Sequence, residues 1–200
     1  MPRIVRRQNP PAHSDYRRFK PYLRVDFDRR CAYCHIPELR NGPSRNYAVD
    51  HFRPKSRPEF VALRSQYSNL YYACHRCNDC KHVRWPSAEE QRRGYRFLDP
   101  CADDFTEHFA VQPDGHLQPL TLAAEYSSHF LQLNREYLRE WRAEKAARSA
   151  GLQMIAAMIE EMAATGLTAS PNLAALVQFH RDKAQALRDE FGEWWGPARG

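Results

Sequence analysis

Long apolar runs are missing from this chain of 200 residues, which excludes a membrane-spanning helix, since one needs about 20 consecutive apolar residues. The opening stretch Met1-Pro2-Arg3-Ile4-Val5-Arg6-Arg7 also lacks the apolar core of a signal peptide, so the expected compartment is the cytoplasm and no membrane partner is expected. Internal repeats are absent as well, which sets aside stacked-repeat architectures. Acidic residues are scarce in the first half of the chain. Residues 1–100 hold 21 Lys+Arg against 10 Asp+Glu, a balance of +11, whereas residues 101–200 hold 9 against 14, a balance of −5. A first half this basic suits a polyanion, because each neutralised phosphate releases condensed counterions. A hydrophobic content of 42% allows one domain, or one compact domain with an extension.

What is present in unusual arrangement is cysteine. In a reducing compartment, cysteines are more naturally thiolate ligands than disulfide partners, and two of the pairs, Cys31/Cys34 and Cys74/Cys77, have the Cys-x-x-Cys spacing that a tetrahedral zinc ion selects. Cys80 and Cys101 have no matching partner and read as plain small residues, although Cys80 could replace Cys77 as a ligand.

In chain order, residues 1–15 read as an irregular basic arm, either a poorly ordered terminus or a contact to nucleic acid or a partner. Phe19, Tyr22, Leu23 and Phe27 recur at helical spacing and predict a helix over 16–30 that Pro21 could kink. Asn46-Tyr47-Ala48-Val49 predicts a short strand ending at Asp50-His51, and Tyr67–Ala73 a second strand leading into Cys74, with a helix beginning near Asn78. Phe97-Leu98-Asp99-Pro100 and Asp114-Gly115 suggest a small β excursion with a turn. Beyond Tyr126 helical periods dominate: Leu131, Leu138 and Trp141 share a stripe that Met154, Ile155, Met158, Ile159 and Met162 continue, read as core filling, with Gly151 as a candidate break. A second helix is expected from Ser170-Pro171 through Phe191. The expected division is a zinc-stabilised core with its basic arm at 1–100, and a short β excursion followed by an acidic helical region for support or partner docking at 101–200.

The chemistry these residues allow is phosphodiester hydrolysis, which needs an activated water, a cation to take up developing charge and positive groups to seat the backbone. His51 can take a proton near neutral pH. Asp50 and Asn78 offer hard oxygens suited to Mg²⁺ or Mn²⁺, and Asn69 can fix the loop after His51. Adjacent strand residues point to opposite faces, so Asp50 and His51 divide their roles rather than share an ion. Arg53, Lys55, Arg76, Lys81 and Arg84 are the expected phosphate contacts.

Cys31-x-x-Cys34, Val49-Asp50-His51-Phe52-Arg53-Pro54-Lys55-Ser56, Asn69-Leu70 and Cys74-His75-Arg76-Cys77-Asn78-x-x-Lys81 together resemble the HNH nuclease superfamily in its ββα-metal, zinc-knuckle form, over about residues 20 to 85. The Asp-His-Phe-Arg-Pro-Lys-Ser run and Phe97-Leu98-Asp99-Pro100-Cys101 are similar to the HNH subunit of Septu-type and retron-type anti-phage systems, where an ATPase partner is typical. The resemblance implies an α+β fold, a ββα-metal core clamped by a zinc site of four cysteines, with an N-terminal helix and a C-terminal helical hairpin. It implies His51 as general base, Asn69 as the loop-ordering residue, Asp50 and Asn78 at the catalytic Mg²⁺ or Mn²⁺, structural Zn²⁺ on the four cysteines, and nucleic acid, with DNA expected, as substrate. The third signature position, often His, is Asn78 here, leaving His82 as a rival ligand. The 39 residues between the cysteine pairs exceed the about 15–20 of a simple zinc ribbon, a length that the superfamily's inserted Asp-His and Asn segments explain. Two alternatives stand beside the defence nuclease: a stand-alone restriction or toxin nuclease, and a non-catalytic zinc-knuckle module that binds nucleic acid or protein.

Overall fold

The computed structural model describes residues 4–165, 174–175 and 177–183. They fall into two compact units, one made of the described residues up to Ala110 with Leu117–Leu138, the other of Val111–His116 and the described residues from Arg139. The expectation from sequence set the border at residue 100, whereas packing assigns 117–138 to the first unit.

The first unit opens with an arm that is pinned rather than loose. Ile4 donates its amide to the Pro100 carbonyl at 2.9 Å, and the Arg6 guanidinium donates to the carbonyls of Tyr67, Ser68 and Leu70 while lying 4.5 Å from the Tyr67 ring centroid. Arg7 pairs with Asp26 at 2.8 Å, and the Tyr67 hydroxyl donates to the same carboxylate at 2.7 Å. These arginines are therefore spent on the protein itself.

A 3-10 turn at Tyr16–Phe19 passes directly into α1 (Lys20–Asp26). Pro21 lies in the first turn of α1, where its missing N–H costs nothing, so there is no kink. The helix stops short of the expected Arg30 because Asp28 and Arg29 take positive φ, 48° and 54°, a left-handed conformation that cannot continue it. After the first cysteine pair come α2 (Glu38–Asn41), β1 (Tyr47–His51), β2 (Leu70–Cys74) and α3 (His75–Lys81). β1 and β2 form an antiparallel ribbon with Tyr47 opposite Cys74 and His51 opposite Leu70. Tyr47 and Tyr72, diagonal across it, stack with centroids 4.7 Å apart. The helix begins at His75 rather than near Asn78, because the Cys74 sulfur accepts the Cys77 amide at 3.5 Å and caps its first turn.

A two-stranded ribbon is marginal alone, and here α1 and the aromatic core cover it: Leu23, Phe27, Tyr33, Tyr71 and Tyr72 are all buried. The chain continues through α4 (Ala88–Arg92), whose Ser87 and Glu90 make a reciprocal capping box, and α5 (Phe105–His108). The small β excursion is β3 (Phe109–Val111) with β4 (Leu117–Pro119). Phe97 and Leu98, expected to open it, are instead buried in irregular chain, their burial satisfying the same apolar signal that suggested a strand. α6 (Leu122–Leu131), capped by Thr121, and the start of α7 (Glu136–Ala164) complete this part of the chain.

In the second unit the turn before His116 requires glycine. Gly115 has φ +77°, and a Cβ there would meet the Arg139 carbonyl oxygen at 1.9 Å. Arg142 Nε donates to the Gly115 carbonyl at 2.6 Å. α7 runs through Gly151 without a break, since nothing crowds that position. The apolar stripe is only partly buried: Ile159 is covered, but Met154 and Met158 are 67% and 59% exposed. Core filling is therefore not the role of those methionines among the described residues. The expected second helix starts outside them at Ser170-Pro171, as does Phe191; within it, 177–183 are helical.

If the arm pins the fold, Arg6→Met should lower the free energy of unfolding in urea by about 1–3 kcal/mol, the cost of leaving buried carbonyls unmet, and leave nucleic-acid affinity unchanged.

Candidate functional site

Four cysteines bring two distant segments together. The sulfurs of Cys31, Cys34, Cys74 and Cys77 all lie within 4.8 Å of one another and are buried; Cys34 and Cys74 are 3.9 Å apart. A tetrahedral zinc with Zn–S bonds of about 2.3 Å requires sulfurs about 3.8 Å apart, so the cage fits that ion and offers a closed set of ligands, compatible with structural zinc. The first knuckle is shaped by the His35 amide bonding the Cys31 carbonyl and by Ala32 donating to Tyr72 of β2 at 2.8 Å. Burial drives the Cys34 thiol up, and hydrogen bonds from Cys31 and its neighbours drive up that of Cys77; against burial, the bonds from the other three cysteines hold Cys31 low. Cys80 stays outside the cage, and burial pushes the Cys101 thiol up to about 12, which keeps it protonated.

Arg135, whose role no local spacing suggests, reaches this cage. Its Nη2 donates to the Cys77 sulfur at 3.4 Å and its Nη1 to the Leu131 carbonyl at 2.9 Å. Burial opposes its charge, but its interaction with the sulfurs of Cys77 and Cys34 outweighs that and raises its pKa. The guanidinium favours charged sulfur in the way outer partners tune metal ligands.

On the inner face of β1, Asp50 is buried, and its carboxylate accepts from the Tyr33 hydroxyl and pairs with Lys81 Nζ at 3.0 Å. Lys81 also donates to the His51 carbonyl at 2.7 Å and has no exposed side-chain surface. This corrects the expectation that Lys81 contacts phosphate: it is the internal counter-ion of Asp50, bracing the end of β1. Burial, then the charge of Asp50, keeps the Tyr33 phenol protonated. Asn78 lies three residues before Lys81 on α3, hence on the same helix face. Both oxygens of the Asp50 carboxylate are engaged, Oδ2 by Tyr33 and Lys81 and Oδ1 by Lys81 at 3.4 Å; a carboxylate and an amide are nonetheless the donor types that a hard divalent cation takes. Among the described residues the cysteine cage is the sole convergence of three or more His, Cys, Asp or Glu ligands.

His51 faces the other way. Its Nε2 lies 2.9 Å from the Arg64 carbonyl oxygen, which can only accept, so Nε2 carries the proton and Nδ1 is left as the basic nitrogen. Burial lowers its pKa below the ordinary 6.5 despite the bond to Arg64, which keeps the ring neutral at pH 7. The ring meets Tyr16 edge-on at 4.6 Å, and Lys55 Nζ donates to the Tyr16 hydroxyl at 2.6 Å. Asn69 brackets the next loop: its Oδ1 accepts from the Arg53 amide at 2.8 Å and its Nδ2 donates to the Arg53 and Leu63 carbonyls. The structure therefore gathers Asp50, His51, Asn69 and Lys81 around the end of β1, and adds Tyr16 and Tyr33.

The remaining basic residues spread outward. Arg53 is exposed beside His51. Arg84 is exposed and packs its guanidinium 4.6 Å from the Phe130 centroid. Arg76 donates to Gln132 at 2.9 Å, and His82 is exposed at the end of α3 with φ 46°.

Residues 31–84 match the family model described as HNH endonuclease. The chain is also similar to the Septu protein PtuB of Bacillus mycoides (strain KBAB4), 28% identical over 151 residues, which is 64% of this chain and 50% of that protein. The chain thus spans about half the length of the curated relative it matches. No solved structure matches. The matched HNH segment begins and ends with the two knuckles and the helix after them, the region in which the site is built.

Because removing one member of a buried ion pair strands the other, Lys81→Met should destabilise the protein by about 3–5 kcal/mol in denaturant unfolding; a phosphate-contacting lysine would cost little stability. Arg135→Met should weaken zinc retention by about 10- to 100-fold in a chelator competition, while the folded spectrum of the zinc-loaded protein stays intact.

Proposed function

We propose that this chain is a metal-dependent HNH endonuclease of anti-phage defence, acting on DNA and working with an ATPase partner. The observation that carries the catalytic part is the imidazole of His51, held by the Arg64 carbonyl so that Nδ1 is the base. The resemblance to a Septu PtuB protein supports the defence setting, and the basic first half of the chain supports a nucleic-acid substrate.

In this reading a water near Nδ1 gives up its proton to His51 as it attacks phosphorus in line with the departing oxygen. Burial keeps the ring in the neutral form that can accept a proton, at the cost of a weaker base. Asn69 holds the Arg53 backbone so that the strand end and the loop keep a fixed spacing, which limits the wandering that costs rate. Arg53 and Lys55 seat the backbone through its phosphates. Asp50 and Asn78 are the residues that would hold Mg²⁺ or Mn²⁺, which supplies charge for the developing oxyanion. The thiolate cage is scaffold, with all four positions taken by sulfur.

The Lys81–Asp50 pair is the observation that favours the rival reading, a non-catalytic knuckle module, since it already satisfies the carboxylate. Plasmid cleavage separates the two. The wild-type protein with its ATPase partner and Mg²⁺ or Mn²⁺ should cut, EDTA should stop it, and His51→Ala should cut about 10²- to 10⁴-fold more slowly with zinc content and fold unchanged. Equal cutting by both proteins would remove His51 from the chemistry; no cutting by either would favour the binding module.

A further inference from the structure

A cleft of about 370 Å³ opens two residues beyond His51, lined by Arg53, Arg57, Glu59, Phe60, Trp85 and Gln91, among others. We infer that it receives an unpaired nucleobase of the substrate strand, adjacent to the phosphate that is cut. The inference rests on the nuclease reading and narrows its substrate to strands with an accessible base.

The walls are aromatic and fixed. Trp85 meets Phe60 at 5.3 Å and Phe52 at 5.5 Å, both near perpendicular, so two neighbouring rings set the plane of the indole. Both Trp85 and Phe60 keep part of their surface open to solvent, unlike the core aromatics Tyr71 and Tyr72. The mouth is polar. Arg57 donates to the Trp85 carbonyl at 3.1 Å and lies 3.6 Å from Glu59, while Gln91 donates to the Pro86 carbonyl at 2.9 Å. Exposed Arg53 stands at the rim, its backbone fixed by Asn69.

Each part matches a feature of one ligand class. Aromatic faces stack on any base, and guanidinium groups beside them meet the flanking phosphates. A carboxylate and an amide at the mouth can bond the edge of a base. A paired base inside a duplex exposes no face to such walls, so entry needs a single strand or a base swung out of the stack. Phe52 joins the cleft to the site: it follows His51 directly and packs on Trp85.

The test uses the full-length zinc-loaded chain carrying His51→Ala, without added Mg²⁺ or Mn²⁺, so that binding is read without cleavage. Fluorescence anisotropy is measured with labelled single-stranded DNA, single-stranded RNA and fully paired duplexes of matched length. Trp85→Leu and, separately, Phe60→Ala should each weaken binding of the single strand by about tenfold, the effect of losing one stacked base, and change duplex binding by less than about twofold. Trp85→Tyr should restore single-strand affinity. Thermal unfolding and zinc content identify a variant that fails to fold, and if that is Trp85→Leu, Phe60→Ala then carries the comparison. Equal loss on single strands and duplexes, or no loss on either single strand, would overturn the cleft while leaving the nuclease reading standing. A parent protein that binds none of the oligonucleotides would overturn both.

Discussion

Everything at this site depends on four sulfur atoms, contributed by chain segments 40 residues apart, occupying one buried cage. The ribbon of β1 and β2 is too short to hold itself together in water. Closing the cage fixes the first knuckle against the start of α3, and α3 in turn carries Lys81 to the end of β1. Thiolates buried without a cation repel one another, so the same cage that orders the segment ties its order to metal content.

The second constraint is the alternation of side chains along β1. Asp50 turns to one face, toward Tyr33 and Lys81, and His51 to the other, where it is buried against Tyr16 and the Arg64 carbonyl. One strand end thereby presents an anionic oxygen on one face and a neutral base on the other, without the base being drawn into the ion pair. Lys81 serves both, bonding the carboxylate of one residue and the backbone carbonyl of the next. A charge this deeply enclosed needs its partner, so the pair locks the strand end as well as neutralising it.

The parts legible in the sequence were those written in local spacing. The two Cys-x-x-Cys pairs announced the cage, the Tyr47–Val49 run announced β1, and the pleat rule alone separated Asp50 from His51. What escaped was what spacing cannot carry. A lysine three residues after Asn78 reads as a phosphate contact until tertiary packing encloses it. Arg135 lies 58 residues from the sulfur it bonds, a distance across which no periodicity speaks. Basic residues near a terminus suggested a loose arm, yet Arg6 and Arg7 find carbonyls and a carboxylate contributed by later segments. The methionine stripe of α7 has helical period but is largely exposed among the described residues, because period fixes a face and not what covers it.

The cysteine cage and the Arg64 carbonyl together would hold His51 with Nδ1 as its basic nitrogen. The direct measurement is ¹⁵N–¹H correlation NMR of histidine-labelled protein at neutral pH, with the His51 signals assigned by their loss in His51→Gln. A neutral ring protonated on Nε2 is expected in the zinc-loaded protein, with collapse to an averaged, solvent-like ring when zinc is stripped. A ring protonated on Nδ1, or one whose signals do not change on removal of the metal, would contradict it.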